Sequence, residues 1–552
     1  MRQNKSNRMM PLIMALCVIV GILIGTFYAN HFSGNRLSII NSSSNKLNNL
    51  LHIVDDQYVD TVNINQLVEG AIPQILAELD PHSVYINSKD VHNDDLKGSF
   101  SGVGIEFTIH QDTIRVQNVI SNGPAERAGV MAGDKIVSVN DTAFVGKAVT
   151  TDEAMRRLKG PKDTKVKLGI IRYGEKAVRQ ITVTRGDIPQ RSINATYMLD
   201  DKTGYIRIKN FGENTYPEML IALAKLSQEN VSNLVIDLRG NTGGYLASAV
   251  QIANELLPKG RLIVYTQGRK SPRQEYRSDG RGSYQHIPLV ILIDEGSASA
   301  SEILAGAIQD NDRGTIIGRR SFGKGLVQQP IAFNDGSLIR LTIARYYTPS
   351  GRCIQKPYTS GADKGYEEDL IYRYQHGEYF SSDSIKHTGP DYHTQLGRTV
   401  YGGGGITPDI FIPEDTTGIT SYYKEASMTG LILQFAYAYT DRNRSKLNEF
   451  DSMKEMEKYL NRQNTVEKFV DYAERNGLRR RNLMIKKSYK LLERFINSRI
   501  IYNILDDEAW IEYLNENDPA IEKTLEVFRN HEAFPKKPEV KAKEAATSDK
   551  DK

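Results

Sequence analysis

Cysteine and excess charge are both scarce in this chain of 552 residues. Its two cysteines, Cys17 and Cys353, are too few for a disulfide framework, and the apolar segment around Cys17 argues against a bond between them. The cellular compartment must therefore be inferred from targeting signals rather than from cysteine usage. A net charge of +4 is small for this length and argues against a nucleic-acid-binding protein.

Paired histidines are missing as well. None of the ten histidines forms a His-x-x-x-His pair, which disfavours a zinc metallopeptidase, and no metal or other cofactor is predicted. A Ser-His pair would need a histidine near a candidate serine, and His286 is the one close to Ser299 in sequence. His286 precedes the strand that leads to Ser299, so we expect it at the opposite end. His82 follows a proline in a loop, where a structural hydrogen-bonding role is expected.

A buried strand followed by a serine-rich helix start is the most informative stretch. Residues 287–293 form an almost continuous apolar run, which predicts a strand buried on both faces. Apolar residues recur at helical spacing after Ser297, Ser299 and Ser301. Such a turn places backbone N–H groups beside a hydroxyl, where an acyl-transfer nucleophile and its oxyanion would be stabilised. The same serines could instead only cap the helix, since serine is a preferred N-cap residue.

A lysine between two glycines favours the catalytic interpretation. Lys324 is flanked by Gly323 and Gly325 and is followed by two apolar residues and two glutamines. Glycines allow the backbone to turn sharply and other groups to approach closely. A lysine that is desolvated against an apolar wall has a lowered pKa and can accept a proton from a serine. Ser-Lys is a known form of the nucleophile–base pair.

These two motifs together resemble the signature of a known protein family. The run 297–302 followed by 322–325 is similar to that of the carboxy-terminal (tail-specific) processing proteases, the S41 peptidases, and the resemblance covers roughly residues 40–415. It implies that Ser299 is the nucleophile, that Lys324 is the general base and that Gln328 orients the lysine.

The same resemblance implies the rest of the active site. The backbone N–H groups of Gly244 and Ala300 would form the oxyanion hole, in an α/β protease core of the ClpP/crotonase type. Both donors belong to the backbone, so the side chains at these positions are only weakly constrained.

A second resemblance points to a PDZ domain from about residue 98 to 187. Gly102, Val103, Gly104 and Ile105 form a glycine loop that runs into an alternating strand. In PDZ domains the N–H groups of such a loop hold the terminal carboxylate of a peptide, which adds as a strand to the sheet. Residues 151–158 are expected to form the helix that lines the peptide groove. The alternative is a PDZ domain that binds a partner and never a substrate.

An apolar stretch near the N-terminus predicts a membrane anchor. Residues 9–29 match the ~20 residues that span a bilayer. Arg2, Lys5 and Arg8 precede them, and positive charge before a span predicts a cytoplasmic N-terminus. We therefore expect a single-pass inner-membrane protein whose catalytic domains lie on the periplasmic, extracytoplasmic side. A cleaved signal peptide is the alternative, although the bulky Phe27 disfavours cleavage after residue 29.

The remaining segments are assigned by their patterns. Residues 356–398 form a charged, tyrosine-rich insertion without assignable chemistry, and helical spacing recurs from about residue 420 to 530. This C-terminal extension is a candidate cap on the protease or a surface for an adaptor or for self-association. The predicted fold is multidomain α+β, with a cytoplasmic N-terminus and transmembrane helix (1–30), a tether and N-terminal helices (31–97), a β-sandwich-like PDZ domain (98–187), the protease core (188–415), an all-α C-terminal domain (416–532) and a disordered tail (533–552).

The function implied by the resemblance is that of a membrane-anchored serine endopeptidase. It would cleave proteins near their C-termini and recognise those tails through its PDZ domain. The predicted partners are protein substrates and the membrane, without nucleic acid or a cofactor. A catalytically silent, membrane-tethered PDZ scaffold is the alternative from a different class.

Overall fold

The computed structural model describes residues 14–16, 18–22, 42–88, 91, 99–110, 112–147, 149–172, 174–359, 361, 364–387 and 389–538. The chain divides into two compact units, Met1–Leu79 and Asp80–Lys552. Most of the tail predicted over 533–552 lies outside the described residues.

From residue 42 onward, the first unit forms the helices α1 (Ser42–Gln57) and α2 (Ile64–Ala77), in the segment 31–97 for which the sequence predicts N-terminal helices. α2 begins after Asn63, whose side chain accepts a hydrogen bond from the N–H of Gln66 at 3.2 Å. Of the anchor predicted over 9–29, the structure describes only residues 14–16 and 18–22, which are helical. Within the described residues, no helix has the length and apolar character needed to cross a membrane.

The second unit begins with a short strand and a small, mostly antiparallel domain. Its elements are β1 (Val84–Ile86), β2 (Ser99–Gly102), β3 (Ile105–His110), β4 (Thr113–Val119), α3 (Pro124–Arg127), β5 (Lys135–Val139), β6 (Thr142–Ala143), α4 (Thr151–Leu158), β7 (Lys165–Ile171), β8 (Arg179–Thr184) and β9 (Gly186–Pro189). The strands β3-β4-β5-β7-β8 form one sheet with β6 on β5, and β2 pairs with β9. α4 begins after Thr150, whose hydroxyl accepts from the N–H of Glu153 at 3.2 Å, so the helix predicted over 151–158 is present.

The next region carries most of the remaining strands. Its elements are β10 (Ile193–Met198), β11 (Thr203–Ile208), α5 (Thr215–Gln228), β12 (Asn233–Asp237), α6 (Leu246–Leu256), β13 (Leu262–Gln267), β14 (Gln274–Arg277), β15 (Leu289–Ile293), α7 (Ala300–Asp310), β16 (Thr315–Gly318), β17 (Leu326–Ala332), β18 (Leu338–Tyr347), α8 (Lys364–Gln375), a 3-10 turn (Ser382–Ser384), β19 (Asp391–His393), β20 (Thr399–Tyr401) and β21 (Ile410–Phe411).

A six-stranded sheet forms the centre of this region, in the order β10-β11-β12-β15-β16-β21. β10 is antiparallel, and the pairs from β11 to β21 are all parallel. Helices α5, α6 and α7 cover one face with a core that includes Leu223, Ile252 and Ile303. Every residue of β15 is buried, as its continuous apolar sequence predicts for a strand covered on both faces.

A second sheet lies against the carboxyl end of this core. β18 pairs with β1, β13 and β17, and β13 also pairs with β14. Because β1 pairs antiparallel with residues 338–340 of β18, the segment from Asp80 to Ser83 lies beside β18. The hydroxyl of Ser83 accepts a hydrogen bond from the N–H of Thr342 at 3.1 Å, which fixes this segment.

Seven helices follow: α9 (Ser421–Met428), α10 (Leu431–Leu447), α11 (Met453–Leu460), α12 (Thr465–Arg475), α13 (Asn482–Ile504), α14 (Asp507–Asn515) and α15 (Pro519–Arg529). α9 to α13 share a core of their own. Ile511 of α14 and Ile521 and Phe528 of α15 pack on the other face of the central sheet, against residues that include Val235 and Val290. The C-terminal helices therefore complete a three-layer α/β/α arrangement.

Candidate active site

Three serines lie at the turn between β15 and α7, and they differ in accessibility. Ser297 and Ser301 are fully buried, and their hydroxyls donate to the carbonyl oxygens of Leu238 and Asn241, both at 2.8 Å. Ser299 is half-buried and has a φ of +56°, a left-handed conformation that is uncommon for residues other than glycine. The serine that the sequence predicts as the nucleophile is therefore the one that the turn presents.

A glycine turn after β12 packs directly against Ser299. A Cβ atom on Gly243 would lie only 2.7 Å from the Cβ of Ser299. The carbonyl of Gly243 accepts from the N–H of Phe211 at 2.9 Å, and the N–H of Tyr245 donates to the carbonyl of Phe211 at 2.7 Å. Gly243 and Tyr245, the two neighbours of Gly244, both hydrogen-bond with Phe211. The N–H of Gly244 therefore points away from Phe211.

Two backbone donors are thus left near the nucleophile turn. Ala300 opens α7, and the first N–H groups of a helix have no partner within it. Neither Gly244 nor Ala300 donates a backbone hydrogen bond to any residue that the structure describes. Unpaired N–H groups of this kind can stabilise a developing oxyanion. Their assignment as the oxyanion hole stays a prediction.

Lys324 lies in the loop between β16 and β17 and is half-buried. Burial is the main cause that lowers the pKa of its amine below 10.5, and Arg340 acts in the same direction, whereas Glu302 opposes it. The amine donates to Oε1 of Gln328 at 3.4 Å. Among the described residues, no hydrogen bond joins this amine to the hydroxyl of Ser299.

Glu302, to which the sequence assigned no role, ties the serine turn to the lysine loop. Its carboxylate accepts from the backbone N–H groups of Ser299 (2.8 Å), Gly323 (2.7 Å) and Lys324 (2.9 Å), and from the hydroxyl of Ser321 (2.5 Å). Burial raises the pKa of Glu302 to about 7. A glutamate three residues after an N-cap serine is a capping-box signal, so the sequence does contain a hint of this contact.

Tyr346 makes a second tie between the same two segments. Its buried hydroxyl lies 3.1 Å from the carbonyl oxygen of Ser299 and also contacts the carbonyl oxygen of Lys324. No local pattern around Tyr346 in β18 could have indicated this, because the contact depends on how the second sheet packs against the core.

Gln328 is oriented by the segment that precedes β1. Its Nε2 donates to the backbone carbonyl of His82 at 2.6 Å, which leaves its Oε1 facing Lys324. Burial lowers the pKa of His82 to about 4, and nearby Lys324 acts in the same direction. The imidazole is therefore neutral at pH 7, and its structural hydrogen bonds lie at the candidate active site.

His286 is exposed and precedes β15, at the other end of that strand from Ser299, as the sequence predicts.

Comparison with known proteins identifies the family. A carboxy-terminal-processing protease of Bartonella bacilliformis is 39% identical over 310 residues, which are 55% of this chain and 70% of that protein. The chain belongs to the carboxy-terminal processing protease family. Carboxy-terminal processing protease CtpB of Bacillus subtilis is 33% identical over 346 residues (62% and 70%). The carboxyl-terminal-processing protease of Synechocystis is 37% identical over 296 residues (52% and 68%).

Family profiles match several separate parts of the chain. They match Peptidase family S41 at residues 202–368, a PDZ domain at 93–171, the Activating protease CtpB N-terminal domain at 30–90 and a family of unknown function at 422–506. A multidomain fold with a PDZ domain, an S41 protease core and a C-terminal helical region is therefore confirmed. The boundaries drawn between these parts from the sequence stay predictions.

The predicted carboxylate-binding loop of this protease connects β2 with β3. Gly102 ends β2 and Ile105 begins β3. The carbonyl of buried Val103 accepts from the N–H of Ala125 at 2.8 Å. The N–H groups of Val103 and Gly104 donate no backbone hydrogen bond within the described part of the chain. Among the described residues these two N–H groups therefore have no backbone acceptor, at the place where the sequence expects a substrate carboxylate, and the binding role of the loop stays a prediction.

Proposed function

We propose that this protein is a membrane-anchored serine endopeptidase that cleaves proteins near their C-termini. The observation that carries the proposal is the double tie between Ser299 and Lys324. The Glu302 carboxylate binds the N–H groups of both residues, and the Tyr346 hydroxyl contacts the carbonyl groups of both. Family membership supports peptidase activity, and the half-buried lysine supports a Ser-Lys pair.

In the proposed mechanism, neutral Lys324 accepts the proton of the Ser299 hydroxyl. The serine oxygen attacks the scissile carbonyl, and the N–H groups of Gly244 and Ala300 stabilise the resulting oxyanion. The protonated amine of Lys324 then gives its proton to the leaving amine. Water, deprotonated by Lys324, hydrolyses the acyl-enzyme and regenerates the serine hydroxyl. Gln328 keeps the amine aligned through its Oε1.

Substrate selection is proposed to begin at the PDZ loop. The N–H groups of Val103 and Gly104 would receive the terminal carboxylate of a substrate, whose chain would add beside β3. The cleft at Ser299 would then receive an unfolded segment near that terminus. The match to a PDZ domain supports this specificity for protein tails.

The test is cleavage of a purified protein that has an exposed, apolar C-terminus. We expect cleavage near that terminus by the full chain, and none by Ser299→Ala or Lys324→Ala. Cleavage at the wild-type rate by either variant would contradict the assignment of Ser299 as the nucleophile and Lys324 as the general base. Binding of the same tail without cleavage by the wild type would favour the silent scaffold instead.

Residues 9–29 are proposed to form an uncleaved anchor in the inner membrane, with the catalytic domains on the extracytoplasmic side. Their apolar character and the preceding Arg2, Lys5 and Arg8 support this. The protein should remain in the membrane pellet in high salt and retain its N-terminus. A mature protein that starts near residue 30 would show a cleaved signal peptide.

A further inference from the structure

The tyrosine-rich insertion reaches the active site through one buried side chain. Tyr366, in the first turn of α8, is only 5% exposed. Its ring packs edge-on against the rings of His82, at a centroid distance of 5.3 Å, and Phe322, at 6.1 Å. Lys356 holds its backbone, because the lysine amine donates to the carbonyl oxygen of Tyr366 at 3.0 Å.

The hydroxyl of Tyr366 links two further groups. The Nε2 of buried Gln355 lies 3.3 Å from this hydroxyl, and the Nε2 of His82 lies 2.7 Å from it. An amide nitrogen can only donate, so the tyrosine oxygen accepts from Gln355 and its own proton points to His82. The imidazole of His82 must then accept at Nε2 and carry its hydrogen on Nδ1. A neutral His82 with a pKa of about 4 agrees with this arrangement.

These bonds close into a ring around the proposed general base. Oε1 of Gln355 accepts from the N–H of Gly325, which is the residue after Lys324, at 2.8 Å. On the other side, the carbonyl of His82 accepts from Gln328, whose Oε1 accepts from Lys324. We define the Lys324 ring as these five hydrogen bonds through residues 324, 328, 82, 366, 355 and 325, closed by the peptide bond between Lys324 and Gly325.

The ring determines which end of the Gln328 amide faces the lysine. The NH₂ group of Gln328 can satisfy the carbonyl of His82 only when the amide oxygen faces Lys324. A displaced His82 would release that orientation and open the wall beside the amine to water. Tyr366 is the one side chain that holds the imidazole of His82 by a direct hydrogen bond in the described part of the chain.

We propose that Tyr366 and Gln355 are positioning residues that keep Lys324 desolvated and aligned through His82 and Gln328. The proposal rests on the proposed function of Lys324 as the general base. It assigns the insertion, whose chemistry the sequence did not reveal, to the support of the active site. Both residues act through other side chains, so neither is proposed as a catalytic residue.

Several charged groups face Lys324 and must be held constant in a test. They are Glu302 from α7, Arg340 from β18 and Asp80 from the segment before β1, with neutral His82 beside them. Tyr366→Phe removes one hydroxyl, keeps the aromatic packing and changes none of these charges. Tyr372→Phe is the matched control, since Tyr372 lies on the same helix, is exposed, and accepts at its hydroxyl from the Lys386 amine at 3.3 Å, outside the Lys324 ring.

The first experiment compares the pH profiles of kcat/KM for the full-length wild type, both variants and Ser299→Ala. A rise of about one unit in the pKa of Lys324 would cut the neutral fraction about tenfold at pH 7 and hardly at all at high pH. We expect Tyr366→Phe to lose about tenfold in kcat/KM at pH 7, with the gap closing as the pH rises, and Tyr372→Phe to match the wild type.

Two outcomes overturn the inference in distinguishable ways. In the first, the wild type shows Ser299-dependent cleavage, and the pH profile of kcat/KM for Tyr366→Phe has the same shape as that of the wild type, at full or reduced activity. The Lys324 ring then does not influence the pKa of Lys324. If the wild type shows no Ser299-dependent cleavage, the proposed function fails and the inference fails with it.

A second measurement does not depend on activity. Nitrogen NMR of the histidine rings, with the His82 signal assigned by its loss in His82→Asn, reports the tautomer directly. We expect the form with hydrogen on Nδ1 in the wild type, and a shift of the Nε2 signal in Tyr366→Phe. Hydrogen on Nε2 in the wild type would overturn the proposed direction of the ring.

Discussion

Burial of the Lys324 amine carries a free-energy cost to the fold at neutral pH. Its amine is half-buried and its pKa is lowered chiefly by loss of solvent. In the unfolded chain the same amine regains its ordinary pKa of 10.5 and binds a proton more tightly. The charged form therefore opposes folding below the folded pKa, and this penalty disappears as the pH rises toward 10.5.

Replacement of this lysine by an apolar residue should stabilise the protein while it removes activity. We expect Lys324→Met to raise the free energy of unfolding at pH 7 by about 0.5–2 kcal/mol, a gain typical of stabilising substitutions. The gain should shrink between pH 7 and pH 10. Urea denaturation at both values measures it, with the exposed Lys270→Met as a control that should change little. A destabilised Lys324→Met variant would contradict the assigned burial cost.

At the residue scale, the sequence indicates the candidate reactive residues, whose roles stay predictions, more clearly than the residues that contact them. Ser299, Lys324 and Gln328 lie in local motifs whose chemistry is visible in the residue types. Glu302 left a weak signal as the third residue after the cap. Tyr346 and Tyr366 left none, because their hydroxyls meet the active site only through the packing of β18 and α8.

At the scale of elements, the backbone of the turn between β12 and α6 has little conformational freedom, like the turn between β15 and α7 that carries Ser299. Gly244 has a φ of +146°, and a Cβ at this position would lie 2.1 Å from the carbonyl oxygen of Phe211. Gly240, in the same turn, also has a positive φ, but a Cβ there would meet nothing within 4 Å. A substitution at Gly240 would therefore introduce backbone strain alone, whereas one at Gly244 would add a steric clash beside the proposed oxyanion donors.

The two corresponding alanine variants should differ sharply. Gly244→Ala must displace its own N–H, and loss of one oxyanion donor typically lowers kcat by about 10²–10³. Gly240→Ala should cost only about 1 kcal/mol of stability and leave kcat within about threefold. Steady-state kinetics with thermal unfolding of both variants checks this. Equal kcat values for the two would contradict a role of the Gly244 turn in catalysis.

Sequence periodicity predicts where helices and strands form, but it does not predict which surface each of them packs against. The strand predicted over 287–293 is β15 (Leu289–Ile293), and the helix predicted after the serines is α7 (Ala300–Asp310), since buried parallel strands read as continuous apolar runs. The helical pattern after residue 420 predicts which faces are apolar. It does not say which surface receives them, because any sufficiently apolar face would serve.

At the scale of the whole molecule, the C-terminal helices connect the protease core with the PDZ domain. Asp518, which caps α15, pairs with Arg239 at 2.7 Å, directly before the glycine turn of the active site. On the other side, the hydroxyl of Tyr502 in α13 donates to Glu106 of β3 at 2.5 Å. The match to a family of unknown function, at residues 422–506, includes Tyr502, whereas Asp518 lies beyond that match.

Helices α14 and α15 pack on one face of the central sheet of the protease core. Loss of apolar contact between α15 and this sheet should therefore destabilise the protease core. Ile521 is 3% exposed and packs in the cluster of Val235 and Val290, so Ile521→Ala should cost about 2–4 kcal/mol. Leu483→Ala, at a position 81% exposed, is the control and should change stability by less than about 0.5 kcal/mol. Urea denaturation, with the loss of activity as the signal for unfolding, measures the stability of both variants. An Ile521→Ala variant as stable as the control would contradict the three-layer arrangement.

The most direct test of the account is the rate at which a fluorophosphonate probe labels Ser299 as a function of pH. Because only neutral Lys324 can accept the serine proton, we predict labelling at Ser299 that rises toward alkaline pH. Lys324→Arg should not be labelled at any pH, since a guanidinium does not give up its proton. Labelling of Ser299 that is independent of pH, or that persists in Lys324→Arg, would contradict the account.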